Sequence, residues 1–243
     1  HGCRMIFCSS WDDGSLEDMK LSDLLSKYNH KATFYIPINN TEGREVISNT
    51  EIRELIKTHE VGSHTLDHLY LTELSDIDAY DQIKNGKDEL ENIVGGEVPG
   101  FCYPGGKFKK QHIRFLKEIG IKHARTVENM RIEMAECKYR VPTTLQFYPH
   151  KNSAYLSNFI QGSNKAKKMI ILNKVLSSKK IVDKILYIIE SGVMGSDSIF
   201  HLWGHSWEIE KMGMWSDLEI LLSYMDNFQV ENLTISDLVD DKV

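Results

Sequence analysis

The sequence predicts an α/β protein in which strands and helices alternate along 243 residues. Short apolar runs, such as residues 5–8 and 31–37, are typical of buried strands, and segments with helical periodicity lie between them. Barrels of alternating strands and helices commonly reach this length as one domain with one sizeable core. We therefore expect a single domain over residues 1–243, with a mainly helical stretch at about 153–192.

The first half of the chain alternates regularly between the two kinds of segment. A helical pattern of apolar residues runs from Leu16 to Tyr28, and Pro37 stops the strand that follows it. Thr50 is the expected N-cap of the next helix. The predicted segments are a strand at 5–8, a helix at 16–28, a strand at 31–37, a helix at 50–57, a strand at 60–63 and a helix at 75–94.

The second half adds further units, which brings the total to seven or eight strand-helix pairs. The predicted segments are a helix at 111–120, strands at 121–127 and 139–145, helices within 153–192, a strand that ends at 204–205, a helix at 215–226, an extended piece at 229–234 and a helix from 236. The last extended piece is expected to close, or nearly close, the barrel.

Composition argues against several classes of protein. The formal net charge is −6, and the lysines at 165–168 and 179–180 are interpreted as solvated helix faces, so nucleic acid is not an expected partner. Four cysteines without paired spacing favour a reducing compartment. Because the apolar runs are far shorter than the roughly 18 residues of a membrane span, we expect no span and a cytoplasmic location. A leader could still precede His1, since the chain begins without methionine.

Two adjacent carboxylates follow the first predicted strand, in the run Ser10-Trp11-Asp12-Asp13-Gly14. Because neighbouring side chains of an extended segment point to opposite sides, Asp12 and Asp13 are not expected to bind the same ion. One acid is expected to bind a metal and the other to act as a base. The alternative is an ordinary Asp-Asp-Gly turn.

Two histidines stand four residues apart in the run His64-Thr65-Leu66-Asp67-His68, which follows another predicted strand. This spacing places two imidazoles on one side of a helical turn, where they can share an ion. Together with one carboxylate they form a three-ligand site that leaves a position open for water. A metal in such a site lowers the pKa of water from about 15.7 to roughly 7. Taken alone, the two histidines could equally be surface residues of a helix.

Together the two runs resemble the first two motifs of the polysaccharide deacetylases, the carbohydrate esterases with a NodB homology domain. In that family the first motif reads Thr-Phe-Asp-Asp-Gly and the second reads His-Ser/Thr-x-x-His. The resemblance implies that Asp12 is the general base and that Asp13, His64 and His68 bind a divalent metal. It also implies a distorted (β/α) barrel of about seven strand-helix units, with the site at the carboxyl ends of the strands.

The family's third motif is altered in this chain. Cys102 and Gly105 stand where the family carries an arginine two residues before a proline and an aromatic residue after it. The resemblance assigns the backbone N–H of Gly105 to the oxyanion, a role that does not depend on a side chain. We expect Arg125, near a strand end, to replace the arginine as partner of Asp12 or of the substrate. The alternative is an exposed strand-end arginine, and His123 is expected to face outward.

The strand that ends at Gly204-His205 resembles the family's fifth motif, whose histidine protonates the leaving amine. We choose His205 as the general acid and keep His201 as the second candidate, because strand alternation places both on one side. A carboxylate partner raises the pKa of such an acid. The fourth motif, which supplies that carboxylate in the family, has no counterpart here, so Glu208, or less favourably Glu128, is expected to serve.

Aromatic residues flank these positions. Trp203 is expected to contact the substrate, and Trp203 and Trp207 are either pocket walls or core residues. The run at 147–150 could form an aromatic rim for a sugar ring, with His150 as a minor candidate.

These residues predict a metal-dependent hydrolase that removes N-acetyl groups from an N-acetylhexosamine-containing saccharide or glycan precursor, as in the synthesis of a surface polysaccharide. Zinc is the expected ion, although cobalt, nickel and iron also suit this ligand set. Two alternatives are an enzyme of the same fold that opens a cyclic amide and a non-catalytic carbohydrate-binding relative. An iron oxygenase is disfavoured because it would need a jelly roll of many short strands. The sequence predicts no oligomeric state.

Overall fold

The computed structural model of the protein describes residues 5–134, 136–160, 165–195, 198–228 and 230–242. Residues 161–164 of the predicted helices at 153–192, and Gln229 of the predicted extended piece at 229–234, lie outside the described residues. Its first half contains β1 (Ile6–Asp12), α1 (Asp18–Lys27), β2 (Thr33–Ile36), α2 (Asn49–Leu55), β3 (Glu60–Ser63), α3 (Asp76–Val94), β4 (Gly100–Cys102) and α4 (Lys110–Ile119). Its second half contains β5 (His123–Arg125), β6 (Leu145–Gln146), α5 (Asn152–Ile160), α6 (Lys165–Leu176), α7 (Ile181–Glu190), β7 (Ile199–Gly204), α8 (Ser206–Met212), α9 (Trp215–Phe228), β8 (Glu231–Asn232) and α10 (Ile235–Lys242).

The strands form one curled parallel sheet in the order β5-β4-β3-β2-β1-β7-β6. Within it, Ser10 of β1 pairs with Thr33 of β2 on one side and with Trp203 of β7 on the other. Because these strands are parallel, their carboxyl ends meet at one end of the molecule. The predicted α/β class and distorted barrel are confirmed.

The terminal extended piece does not close the barrel, contrary to the prediction. β1 pairs with β2 only from Ser10 onward. The first residues of β1 are therefore free on that side, and they pair with the two-residue β8. The edge strands β5 and β6 are joined instead by residues 141–146, since Val141 forms a parallel bridge with Arg125. Closure therefore depends on a segment in the middle of the chain.

Local details also differ from the prediction. The N-cap of α2 is Ser48 rather than Thr50, because the Ser48 hydroxyl accepts from the Glu51 amide at 3.3 Å and the Glu51 carboxylate accepts from the Ser48 amide at 2.7 Å. The predicted strand at 139–145 begins with a 3-10 turn, and only its last residue belongs to β6. α8 is an additional short helix that follows β7 after one residue.

Close packing beneath the carboxyl end brings β1 and β7 together. The Trp11 ring is fully buried, and a Cβ on Gly204 would lie 3.2 Å from its Cζ3 atom. Glycine at position 204 therefore allows the indole to pack directly against the backbone of β7, just before His205.

Three of the four cysteines lie among the described residues, and none of the three forms a disulfide. Cys8 and Cys102 are buried free thiols, Cys137 is a half-buried one, and Cys3 lies outside the described residues. In the described part of the chain, no helix combines the length and apolarity needed to cross a membrane.

Candidate active site

Polar side chains gather at the carboxyl ends of the parallel strands. Asp12 ends β1, His64 follows β3, Arg125 ends β5 and His205 follows β7. Asp12, His64 and His205 line a cavity of about 520 Å³. The cavity lies at the end of the barrel where the sequence predicts the site.

The turn after β1 separates the two carboxylates. Asp13 has a φ of 81° and Gly14 a φ of 60°, so the chain leaves the strand through left-handed conformations. A Cβ on Gly14 would lie 2.8 Å from Cγ2 of Ile36, so only glycine fits here. A left-handed aspartate is a strained feature of the kind that accumulates at functional sites. Asp12 and Asp13 consequently contact different groups.

Asp13, His64 and His68 form a compact cluster of potential ligand atoms, all within 4.8 Å of one another. Oδ1 of Asp13 lies 3.1 Å from Nε2 of His68 and 3.7 Å from Nε2 of His64. The histidines do not share a helical turn, contrary to the prediction, because Thr65 and His68 have φ values of 71° and 57°. The loop is held by longer-range contacts, such as the Leu66 amide donating to the Gln82 carbonyl at 3.0 Å.

The surroundings of this cluster fit a divalent metal. Nδ1 of His64 donates to the Cys102 carbonyl at 2.8 Å, which leaves the lone pair of Nε2 directed towards Asp13. Burial lowers the pKa of His64 to about 4, so its imidazole is neutral, the form that binds metals. Nδ1 of His68 lies 3.6 Å from Oε1 of Glu42, which is too far for a hydrogen bond. Oδ1 of Asp13 is buried and accepts no hydrogen bond from any described residue, so it is free for an ion.

A second group of potential ligands, Asp12, His64 and Cys102, fits a metal less well. Burial raises the pKa of the Cys102 thiol far above its usual value, so the thiolate that a metal needs is disfavoured. Asp12 is already engaged, because both of its oxygens accept from Nη2 of Arg125. The first cluster is therefore the better candidate.

Arg125 pairs with Asp12 in a fully buried setting. Burial opposes ionisation of Asp12, but the guanidinium and the neighbouring His64 and His205 outweigh it and lower the pKa of the carboxyl. The Arg125 side chain is completely buried, with its guanidinium 5.3 Å from the centre of the Tyr35 ring and 4.9 Å from that of Trp203, so the alternative of an exposed arginine is wrong. Asp12 is held as an oriented carboxylate.

The position of Arg125 explains how the altered third motif is accommodated. Cys102 of β4 and Arg125 of β5 are paired neighbours in the sheet, so the guanidinium reaches Asp12 from the adjacent strand at the same level. The smaller Cys102 side chain also contacts Asp12, with its Sγ 3.7 Å from Oδ2. The ring of Tyr70 fills the space beside Gly105, where the family carries an aromatic residue. A Cβ on Gly105 would lie 3.0 Å from Cε1 of Tyr70.

His205 lies near Asp13, the carboxylate of the cluster. Its Nδ1 donates to Oε2 of Glu208 at 2.7 Å, and its Nε2 lies 3.9 Å from Oδ2 of Asp13. Burial favours the neutral ring, but Glu208 and the two aspartates outweigh this effect and raise the pKa of His205 to about 9. The imidazole is thus protonated at neutral pH, as a general acid must be.

Gln146, which the prediction does not name, and His150, its minor candidate, support Glu208. Nε2 of Gln146 donates to the same Glu208 oxygen at 3.0 Å, and Nε2 of His150 donates to Oε1 of Gln146 at 2.7 Å. Both Gln146 and His150 line the cavity. His150 therefore contacts the site through Gln146 rather than through the cluster.

The second-choice residues have other partners. His201 is buried, its Nδ1 donates to the Pro142 carbonyl at 2.7 Å and its Nε2 accepts from Ser10 at 2.8 Å. Burial lowers the pKa of His201 to about 3, so this ring is neutral. Glu128 pairs with Arg131 at 2.8 Å.

His123 does not face outward, contrary to the prediction. It is buried at the amino-terminal end of the sheet, where its Nε2 lies 2.8 Å from Oγ of Ser236 in α10. The polar pattern of a short strand end cannot distinguish solvent from a helix that covers the same end.

Two tryptophans form part of the cavity wall. Nε1 of Trp203 donates to Oδ1 of Asn129 at 2.9 Å, and Nε1 of Trp207 donates to Oδ2 of Asp13 at 2.9 Å. The Arg44 guanidinium lies 3.8 Å from the centre of the Trp207 ring. Glu42, Arg44, Tyr70 and Asn129 come from irregular segments, where no periodicity or motif signals a role.

The carboxylate and the two histidines at the strand ends of this barrel lie in a stretch that can be compared with known families. The sequence profile of the family described as polysaccharide deacetylase matches residues 4–124, which include Asp12, Asp13, His64 and His68. The chain belongs, through this stretch, to the polysaccharide deacetylase family, and it is a hydrolase of non-peptide carbon–nitrogen bonds. The predicted resemblance is confirmed.

Solved structures support the fold. A Mycobacterium smegmatis protein assigned to the polysaccharide deacetylases has a TM-score of 0.69 at 14% identity, over 100% of this chain and 91% of its own. The chitin deacetylase of Colletotrichum lindemuthianum has a TM-score of 0.62 at 18% identity, over 95% and 85%. A family 4 acetyl xylan esterase of Clostridium thermocellum, solved with a cobalt ion, has a TM-score of 0.60 at 14% identity, over 97% and 90%. No curated protein sequence matches the chain.

Proposed function

We propose that the protein is a divalent-metal-dependent deacetylase that removes acetyl from an N-acetylhexosamine in a saccharide or glycan precursor. The observation that carries this proposal is the arrangement of one cavity, in which the ionised Asp12 lies beside His64 of the three-ligand cluster and the protonated His205 lies beside Asp13 of the same cluster. That arrangement supplies both the base and the acid that amide hydrolysis requires.

Each side chain has a distinct part in the proposed reaction. Asp13, His64 and His68 would hold the ion, which supplies Lewis acidity to water and to the acetyl carbonyl. Asp12, oriented by Arg125, accepts the proton of the attacking water. His205, held by Glu208, then donates a proton to the leaving amine.

Further groups of the cavity would contact the oxyanion and the sugar. The backbone N–H of Gly105 is the proposed donor to the oxyanion that forms on the acetyl carbon. The faces of Trp203 and Trp207 suit a pyranose ring, and Asn129 offers an amide to its hydroxyls. An N-acetylated sugar is therefore a better fit than a purely apolar amide. The named activities of the chitin deacetylase and of the esterase support an acetylated carbohydrate.

Zinc is the ion we propose, with cobalt, nickel and iron as ions that the same ligands accept. The cobalt bound to the acetyl xylan esterase supports a divalent ion of this kind. We further propose that residues 1–243 form one catalytic domain and that it acts in the cytoplasm. The free thiols of Cys8, Cys102 and Cys137 support a reducing compartment.

The test is acetate release from N-acetylglucosamine oligomers and from nucleotide-linked and lipid-linked N-acetylhexosamines. Metal-stripped protein should be inactive, and zinc or cobalt should restore release. Asp12→Asn should lower kcat by roughly 10³-fold while binding metal normally, because the base is lost and the ligands are kept. Glu60→Gln, which lies at the other end of the barrel, is the control and should release acetate at the wild-type rate.

Four results would contradict the proposal. Release without metal would exclude the metal role, and full activity of Asp12→Asn would exclude the assigned base. Binding of these sugars with metal present but without release would favour a non-catalytic carbohydrate-binding protein, and hydrolysis of a cyclic amide alone would favour the amidase alternative.

A further inference from the structure

The part of the sequence from residue 151 to 180, which contains α5 and α6, has an unusual charge. It contains seven lysines and no acidic residue, in a chain whose formal net charge is −6. Six of the seven have exposed or half-exposed side chains, namely Lys151, Lys165, Lys167, Lys174, Lys179 and Lys180. Among the described residues, none of these six forms an ion pair, whereas lysines elsewhere do, such as Lys84 with Asp88. This stretch therefore presents uncompensated positive charge.

The same helices expose large apolar side chains. On α5, Leu156 and Ile160 are 46% and 76% exposed, and on α6, Met169 and Ile170 are 47% and 42% exposed. Leu156 and Ile160 are four residues apart, so they lie on one face of α5. α5 and α6 pack against each other. Exposed apolar residues among unpaired lysines are typical of helices that lie at a membrane interface.

The outward face of α5 lies close to the candidate active site. Ala154 and Asn158, on the opposite face of the same helix, line the cavity. Leu156 and Ile160 follow each of them by two positions, which is about 200° around the helix. A surface that contacts this outward face is thus separated from the cavity by one helix diameter, roughly 10 Å.

We propose that the outward faces of α5 and α6 dock on the surface of an anionic lipid bilayer. The lysines would contact the phosphates of the headgroups, and the four apolar side chains would enter the interfacial region. Docking would hold the cavity beside saccharides that are carried at a membrane surface. That consequence for the substrate rests on the proposed function, but the docking itself does not.

Co-sedimentation of the full chain with lipid vesicles tests the docking without any turnover. The chain should bind vesicles of equal parts phosphatidylcholine and phosphatidylglycerol, bind phosphatidylcholine vesicles much more weakly, and lose affinity as salt is raised. Lys165→Ser/Lys167→Ser and Leu156→Ser/Ile160→Ser should each lower the apparent affinity about tenfold. All four side chains are exposed, so circular dichroism should show unchanged folding.

Matched controls come from α3. Ile77 is 76% exposed, the same fraction as Ile160, and Lys84 is an exposed lysine paired with Asp88. Ile77→Ser/Lys84→Ser should change vesicle affinity less than twofold. Acetate release from a soluble substrate should be the same in all of these variants, so a failure of docking is distinguishable from a failure of the deacetylase proposal.

Three outcomes would overturn the docking proposal. The first is that the wild-type chain does not bind anionic vesicles even at low salt. The second is that the lysine variant loses binding while Leu156→Ser/Ile160→Ser keeps it, which would indicate a site for a soluble polyanion. The third is a dimer in sedimentation velocity that Leu156→Ser/Ile160→Ser dissociates, which would indicate that a second copy covers this face.

Discussion

The two ends of the barrel each bury a carboxylate beside a histidine, but they treat its oxygens differently. At the amino-terminal end, Oε2 of Glu60 accepts from Thr33 at 2.7 Å and from the Ser236 amide at 3.0 Å, and Oε1 accepts from the Ser236 hydroxyl at 2.7 Å. At the carboxyl end, Oδ1 of Asp13 is buried and accepts no hydrogen bond from the described residues. Satisfied oxygens stabilise a fold, whereas a buried oxygen left free is available to a ligand.

The two carboxylates differ because different elements surround the two ends of the barrel. α10 supplies Ser236 and covers the amino-terminal end, while the loops after β1, β3 and β7 surround a cavity of about 520 Å³ at the other end. Glu60 and Asp13 are therefore both buried carboxylates, but of the two it is Asp13 that has an oxygen available to a ligand. Substitutions at the two ends should separate activity from stability.

The largest effect is expected for Asp13→Asn. Removing the charge of this ligand should abolish tight zinc binding, measured by calorimetry, and lower acetate release by roughly 10³-fold or more. The asparagine side chain can still accept from Nε1 of Trp207, so the variant should fold, which circular dichroism checks. Wild-type zinc affinity in this variant would show that the ion lies elsewhere.

Arg125→Cys should cost both activity and stability. It leaves the buried Asp12 carboxylate without its partner, so the free energy of unfolding should fall by about 3 kcal/mol, and kcat should fall with it. Because Cys102 and Arg125 are paired in the sheet, the double exchange Cys102→Arg/Arg125→Cys should recover part of both losses. Urea unfolding and steady-state kinetics measure the recovery, and no recovery would show that the two positions are not equivalent.

Buried neutral histidines should make the fold sensitive to acid. Burial lowers the pKa of His59 to about 4 and that of His201 to about 3, below the usual value of 6.5. The unfolded chain therefore binds these protons first, so their contribution is complete above pH 6.5 and is lost as the pH falls towards 4 and 3. Each should remove about 2 kcal/mol between pH 7 and pH 5.

Urea unfolding at the two pH values measures this loss. His59→Gln should be less stable at pH 7 but should lose less stability on acidification than the wild type. An equal loss in the variant and the wild type would mean that His59 is not the titrating group.

The smallest effect is expected for Glu60→Gln, at the amino-terminal end of the barrel. Glu60→Gln keeps the shape of the side chain but weakens its charge-assisted hydrogen bonds, so the free energy of unfolding should fall by about 1–2 kcal/mol. Zinc affinity and kcat should be unchanged. A loss of zinc affinity here would contradict the division of roles between the two ends.

Local sequence patterns were sufficient for the residues that stand in short motifs. Asp12 and Asp13 follow a strand, His64 and His68 share one run, and the strand before His205 has its own apolar pattern. Even so, the reason given for the histidine pair was wrong, because a loop with left-handed residues brings the rings together instead of a helical turn. The spacing was informative although the local conformation was not that of a helix.

Partners distant in sequence were predicted only in part. Arg125, 113 positions from Asp12, is expected as a partner of Asp12 or of the substrate, and only the pairing of β4 with β5 shows that the guanidinium reaches the carboxylate. Tyr70 and Gln146 come from segments without periodicity, so no pattern connects them to the site. His123 looked exposed for the same reason, because α10 covers it from the far end of the chain.

By itself, then, the sequence determined the α/β class, the alternation of strands and helices and the runs that hold the candidate site residues, because these follow from local periodicity and from neighbours in the chain. Only the tertiary structure decided which carboxylate oxygen stays free, that Arg125 contacts Asp12, and which of His201 and His205 is protonated. Those properties depend on burial and on atoms a few ångströms away, and a distance through space is not encoded in a distance along the chain.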